Sequence, residues 1–284
     1  MSIQNPSEGH TAKFDVAREN GLNMISINHS SGRSFGGLSH GLTLIEVLVS
    51  VSVVAALIAV LVPALSHSRR TAHETACLSK LRQLGVAIAA YAIDHDGFIP
   101  YGPKAPPPSA TNFYPQTGNV TSLLSLESGA PVGLGLLLHG YLGVIREVLF
   151  CPGADQDQDT QAALADVGVS QVEGSYYYRH ASVSTLSGPA KRPRVKLDAL
   201  GTNRRGGAIR CLALDTQLIA PPKMAVFNLR TRTHHQQRLV NALFTDGHAS
   251  THLNIDRRYT VDVTVSIYNT LDAILRNFEA LDSQ

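Results

Sequence analysis

HGLTLIEVLVSVSVVAALIAVLVPAL, His40 to Leu65, decides how the rest of the chain is read. From Val47 to Leu65 nineteen residues pass without a charge, interrupted only by Ser50, Ser52 and Pro63. At about 1.5 Å of rise per residue, a helix of that length spans roughly the 30 Å hydrocarbon core of a bilayer. A buried helix of a soluble domain seldom runs so far without a polar face. A cleaved secretory signal would carry a basic cluster directly before an apolar stretch of about 7–15 residues, with small residues at a cleavage site after it. Here the run is longer, and SHSRRTAHETACLSKLRQLGVAIAAY, residues 66–91, reads as continuing helix. The segment is therefore expected to be retained as a membrane helix.

Two residues sit badly in such a helix. A carboxylate at a bilayer centre costs roughly 2.5–3.5 kcal/mol, less near an interface, and an intramembrane carboxylate by default has a partner. Glu46 lies in the first turns, where the positive helix end also suits a negative charge. Pro63 lacks an amide N–H and marks an expected bend.

Composition narrows the function classes. The chain has 284 residues, 44% apolar and 16% charged, as a chain with a sizeable core or membrane contact would show. Its net charge of +2, from 24 basic and 22 acidic residues, gives no field that would gather nucleic acid, and no nucleic-acid partner is expected. Cys77, Cys151 and Cys211 are too few and too scattered for a zinc knuckle or a disulfide framework. Either one disulfide joins two of them or all three are separate thiols.

GLTLIEVLV, Gly41 to Val49, resembles the processing motif of type IV pilins and type II secretion pseudopilins. In that motif glycine, a hydrophobic residue, Thr-Leu, any residue and glutamate open a long apolar helix. Gly41 falls on the glycine before the cut, Leu42 on the new N-terminus, and Thr43, Leu44 and Glu46 match directly. Leu42 departs from the phenylalanine most often found there. The resemblance implies cleavage between Gly41 and Leu42 by a prepilin peptidase, and N-methylation of Leu42. It further implies pairing of the Glu46 carboxylate with the α-amino group of a neighbouring subunit's Leu42, which is assembly and not catalysis. The implied partners are the peptidase, an inner-membrane assembly platform, and copies of the chain or other pseudopilins in a filament. A glycine suits the cut site because a residue without Cβ is easily held extended.

Residues 1–41 then become a leader, polar and without a periodic apolar face, with translation starting at Met1 or at Met24. Charge counting opposes the orientation the resemblance implies. Only Arg33 lies in the twenty residues before Leu42, whereas Arg69, Arg70, Lys80 and Arg82 follow Leu65. The peptidase must meet Gly41 on the cytoplasmic face, so the motif sets the expectation: a single-pass inner-membrane protein with its head in the periplasm.

Beyond the membrane, Leu78, Leu81, Leu84 or Gly85, Ile88 and Tyr91 recur at helical spacing, and Asp94 to Gly97 with Pro100 end the helix. CLSKLRQLGVAIAAYAIDHDGFIPYG, together with Cys151-Pro152, resembles the prepilin-like proteins of the planctomycete type. The C-terminal NALFTDGH looks like their H-x9-DG block, although ten residues separate His235 from Asp246. Residues 102–133, rich in Pro, Gly, Ser and Thr, read as an extended loop, and GLGLLLHGYL as a short helix. SYYYRH, 175–180, reads as a strand with two exposed tyrosines or as the edge of an aromatic core. Strands are expected at 208–217, 223–233, 238–254 and through YTVDVTVSIYN, with a type I′ hairpin turn at Asp246-Gly247. TLDAILRNFEALD, 270–282, closes the chain as an amphipathic helix.

The expected fold is α+β and pilin-like: a leader (1–41), a transmembrane helix (42–65), its amphipathic continuation (66–100), and an antiparallel head (101–284). Asp215, His234, His235, Asp246 and His248 are the residue types that could converge on a metal, but no HExxH-type spacing supports it and the hairpin accounts for Asp246. No cofactor is expected beyond a structural calcium ion with unassigned ligands, and no nucleophile, Walker or dinucleotide motif points to an enzyme. The competing class is a membrane-anchored periplasmic hydrolase or ligand-binding protein whose anchor only resembles a pilin helix.

Overall fold

The computed structural model describes residues 43–102, 120–181, 194–227, 230–263 and 270–283. The chain divides into two compact units, Met1–Val53 and Val54–Gln284. In the first, the described residues are the cap and opening turns of helix α1, Leu44–Asp94. Every residue from Thr43 to Arg69 is exposed, including Leu44, Leu48, Leu57, Val60 and Leu65, and α1 is long and apolar enough to cross a membrane. The helix continues through Pro63.

In the second unit α1 changes character. Cys77, Leu81, Leu84, Ile88 and Tyr91, spaced alternately four and three residues apart, form a fully covered stripe on one helix face. The helix stops where Asp96 and Gly97 take positive φ and the Gly97 amide donates to the Ala92 carbonyl, ending the ladder in a left-handed cap.

The head is built on strands β1 (Val120–Ser125), β2 (Val172–Arg179), β3 (Cys211–Asp215), β5 (Leu239–Phe244) and β6 (Ala249–Leu253), ordered β1-β2-β3-β5-β6 with every pairing antiparallel. Strands β4 (Leu218–Ile219) and β7 (Val261–Asp262) form a short parallel pair. Two further helices complete the unit: α2, Thr160–Asp166, capped by the Asp159 side chain, and α3, Thr270–Asp282.

Period-two alternation gives the sheet two covered faces. Tyr176, Tyr178, Leu212 and Leu243 join the α1 stripe in one cluster. Tyr177, Leu214, Val240, Ala242 and Phe244 join Ile274, Phe278 and Leu281 of α3 in the other. The three tyrosines of SYYYRH are thus all core residues. The last turn of α3 is bolted to the sheet by a charge. Asp282 accepts from Arg179 at 2.9 and 3.1 Å, from Asn203 at 3.0 Å, and from the Arg210 and Cys211 amides at 2.9 Å, while the Arg179 guanidinium lies 5.0 Å over the Phe278 ring.

The α+β class, the long apolar helix and the antiparallel sheet agree with the sequence reading; several local expectations do not. The stretch read as a loop over 102–133 contains the buried strand β1, and 103–119 lie outside the described residues. The expected strand 223–233 opens as a 3-10 helix, Pro222–Phe227, because consecutive Pro221 and Pro222 fix φ and remove ladder donors. Of YTVDVTVSIYN only Val261–Asp262 is strand, and 264–269 lie outside the described residues. The hairpin at Asp246-Gly247 is present, but only Gly247 has positive φ, at 85°, and its amide donates to the Phe244 carbonyl. That is a type I turn closed by a glycine bulge, which frees Asp246 from the left-handed region a type I′ turn would demand.

Candidate functional site

The amino end of α1 and a buried cluster in the head carry the residues with chemistry. At the first, Thr43 and Glu46 form a reciprocal cap. The Thr43 amide and hydroxyl donate to Glu46 Oε2 at 2.8 and 2.9 Å, and the Glu46 amide donates to Thr43 Oγ1 at 3.3 Å. This is the geometry expected of Thr-x-x-Glu at a helix start, and it satisfies two amides that a helix end leaves open. Glu46 therefore has a partner within its own chain. Gly41 and Leu42 lie outside the described residues.

The second constellation joins four distant stretches. Cys77 comes from the α1 stripe, Cys151 from the turn after the 3-10 helix Arg146–Leu149, Asp215 from the end of β3, and His235 from the positive-φ turn His235–Gln237. One ligand atom from each lies within 4.8 Å of the other three, and all four residues are buried. The Cys77 thiol donates to Asp215 Oδ1 at 3.2 Å, Cys151 Sγ is 3.3 Å from His235 Nε2, and His235 Nε2 is 3.4 Å from Asp215 Oδ2.

The surroundings fix these side chains. Asn241 donates to Asp215 Oδ2 from its amide N at 2.8 Å and from Nδ2 at 3.0 Å, and its own Oδ1 accepts from Thr251 at 2.7 Å. Tyr176 OH is 3.5 Å from Cys77 Sγ. Lys80, one turn beyond Cys77, donates from Nζ to the Glu147 and Phe150 carbonyls at 2.9 Å, fastening α1 to the segment that carries Cys151. Gly153 makes room for the imidazole, since a Cβ there would stand 2.5 Å from His235 Cε1 and Nδ1.

The electrostatics follow from burial and Asp215. Burial pushes the Cys77 thiol well above its usual range, with Cys151 and the Asp215 charge adding to the effect. It raises Cys151 as well. Burial alone would depress His235, but its bonds to Asp215 and Cys77 outweigh this and lift it to about 10. For Asp215 burial acts upward, and the contacts with His235 and Asn241 overcome it, leaving the carboxyl lowered. Two sulfurs, one imidazole and one carboxylate at this spacing are a donor set for a divalent metal ion.

Of the five residues weighed from sequence, Asp215 and His235 belong to this cluster and the others do not. His234 is turned to the Thr216 carbonyl, 2.7 Å from Nδ1. Asp246 and His248 are exposed and engage each other at 2.5 Å on the hairpin tip. Sequence reasoning missed Cys77 and Cys151 as partners for Asp215 and His235. All three cysteines are free thiols, and Cys211 sits in the opposite core cluster. Only the Cys-Leu-x-Lys-Leu-Arg and Cys-Pro contexts, already conspicuous in the chain, marked the right pair.

Compared with known proteins, the chain matches no protein-family model, no curated protein and no solved structure.

Proposed function

We propose that this chain is a structural subunit of a pilin-like filament, of the type II secretion pseudopilus or type IV pilus kind. Its leader is removed between Gly41 and Leu42 by a prepilin peptidase that then methylates the Leu42 amino group. The mature chain waits in the inner membrane as a single-pass protein, head in the periplasm, before joining like subunits on an assembly platform. The observation that carries this reading is the division of α1. Apolar side chains are exposed around its whole circumference from Leu44 to Leu65, and only the stripe from Cys77 to Tyr91 is covered. So large an apolar surface calls for lipid, or for other helices that take over from lipid. Pairing of Glu46 with a neighbour's amino terminus offsets the cost of both charges in a filament core.

Mass spectrometry of the N-terminus after co-expression with a prepilin peptidase tests the proposal. The expected product begins at a methylated Leu42, and Gly41→Ala slows its appearance; a leader left intact in the wild-type chain would overturn the reading. That outcome would favour the second class, a membrane-anchored periplasmic hydrolase or ligand-binding protein.

A further inference from the structure

We infer that Cys77, Cys151, Asp215 and His235 form a structural zinc site that staples helix α1 to the head. This inference stands independently of the filament proposal. A tetrahedral zinc ion with bonds of about 2.0–2.3 Å sets its ligand atoms about 3.3–3.8 Å apart. Cys151 Sγ and His235 Nε2, 3.3 Å apart, meet that spacing, Cys77 Sγ and Asp215 Oδ1, 3.2 Å apart, lie just inside it, and one ligand atom from each of the four residues lies within 4.8 Å of the others. Unrelated buried side chains do not gather two sulfurs, an imidazole nitrogen and a carboxylate oxygen at such distances without a reason, because burying polar and ionisable groups is costly.

The supporting shell has the form a metal site needs. Of the two Asp215 oxygens Asn241 binds only Oδ2, leaving Oδ1 toward Cys77 Sγ for a single metal bond; its Nδ2 also lies 3.1 Å from His235 Nε2, a contact that yields when that nitrogen turns to the ion, and Thr251 orients the Asn241 amide. His235 presents Nε2 inward, with the opposite side of its ring against Gly153. Two thiolates, a carboxylate and a zinc ion carry a single net negative charge, which the adjacent Lys80 ammonium balances. Thiolate and imidazole donors favour zinc over calcium or magnesium. The ligands are at most 4% exposed, which leaves no open coordination position for water or substrate, so the site is structural. Binding requires both thiols and the His235 Nε2 to give up their protons to solvent as the metal enters.

The rival chemistry is a Cys77–Cys151 disulfide, and one set of measurements separates the two. The full-length chain, purified in mild detergent without added metal, is expected to hold about one zinc per chain, with both thiols free after denaturing alkylation. Exchange for cobalt(II) should give the intense visible bands of a tetrahedral ion together with a thiolate-to-metal charge-transfer band. Cys151→Ser should lose that ion. Asn241→Ala, which leaves all four ligands in place, should weaken zinc binding by about 10–100-fold. Cys211→Ser should bind as the wild type does. The proposal is overturned if the native chain carries a Cys77–Cys151 disulfide, if the reduced wild-type chain takes up neither zinc nor cobalt, or if Cys211→Ser loses the metal as Cys151→Ser does.

Discussion

Glu46 closes a helix cap, and the obvious substitution would confound that role with the one the filament proposal gives it. Its carboxylate closes the cap with Thr43, and the filament proposal gives the same charge to a neighbour's amino group. Glutamine serves in such a cap as glutamate does. Glu46→Gln is therefore expected to preserve insertion, leader cleavage and the helix start while abolishing filament incorporation; Glu46→Val should also lose the cap, a cost of about 0.5–2 kcal/mol. Incorporation of Glu46→Gln at wild-type levels, read by cross-linking between subunits, would assign Glu46 to the cap alone. A second residue makes stability depend on pH. His180 is wholly buried, neither ring nitrogen has a hydrogen-bond partner among the described residues, and burial lowers its pKa from 6.5 to about 3. The unfolded chain therefore takes up the proton first. Stability should fall as pH drops from 6.5 toward 3, by up to about 1.4 kcal/mol per pH unit from this group. The chain has no tryptophan, so tyrosine fluorescence during urea unfolding in detergent is the readout. His180→Phe should flatten the part of the slope due to His180, and an unchanged slope would remove His180 from the account.

At the scale of elements, α3 is held by an apolar face, by the buried ion pair of Asp282 with Arg179, and by the Arg204 guanidinium, which donates to Glu279 at 2.6 and 3.0 Å. Ile274, Phe278 and Leu281 insert into the core, as the amphipathic pattern of 270–282 requires, and Asp282 meets Arg179 with both side chains 1% exposed. Removing one member strands the other charge in the interior, at a cost of about 3–5 kcal/mol. Asp282→Ala should therefore lower the urea midpoint sharply, more than loss of a surface pair such as Arg276 with Asp272. Arg179→Met combined with Asp282→Leu should recover much of that loss; equal destabilisation by single and double variants would show that Asp282 acts mainly through the Arg210 and Cys211 amides.

For the whole molecule, the consequence of the zinc site is mechanical. Its ligands come from α1, the Cys151 turn, β3 and the His235 turn, so a bound ion crosslinks segments whose successive ligands the sequence keeps 20 to 74 residues apart. An ion that binds only the folded head stabilises it by an amount that grows with the logarithm of its affinity. Removing the metal with a chelator is expected to lower the melting temperature of the head. It should also raise amide exchange along Cys77 to Tyr91 more than along α3. Uniform exchange, or no change in melting, would count against a staple.

The sequence by itself determined what is local and periodic. An uncharged run long enough for a bilayer, a stripe from Leu81 to Tyr91, a closing amphipathic helix and a hairpin around Asp246-Gly247 are all written in short windows of residue chemistry. Strand β1 was hidden within a Pro- and Gly-rich stretch, and the turn type at Gly247 depended on backbone angles that residue names do not fix. Only the tertiary structure decided which sulfurs, imidazole and carboxylate share a site. Asp215 and His235 were conspicuous as residue types, but so were His234, Asp246 and His248. Burial against the sheet, the register that sets Tyr176 opposite Asp215, and the anchoring of α1 through Lys80 select Cys77 and Cys151 as their companions. Ligand convergence is a property of distances through space, and no spacing along this chain encodes it.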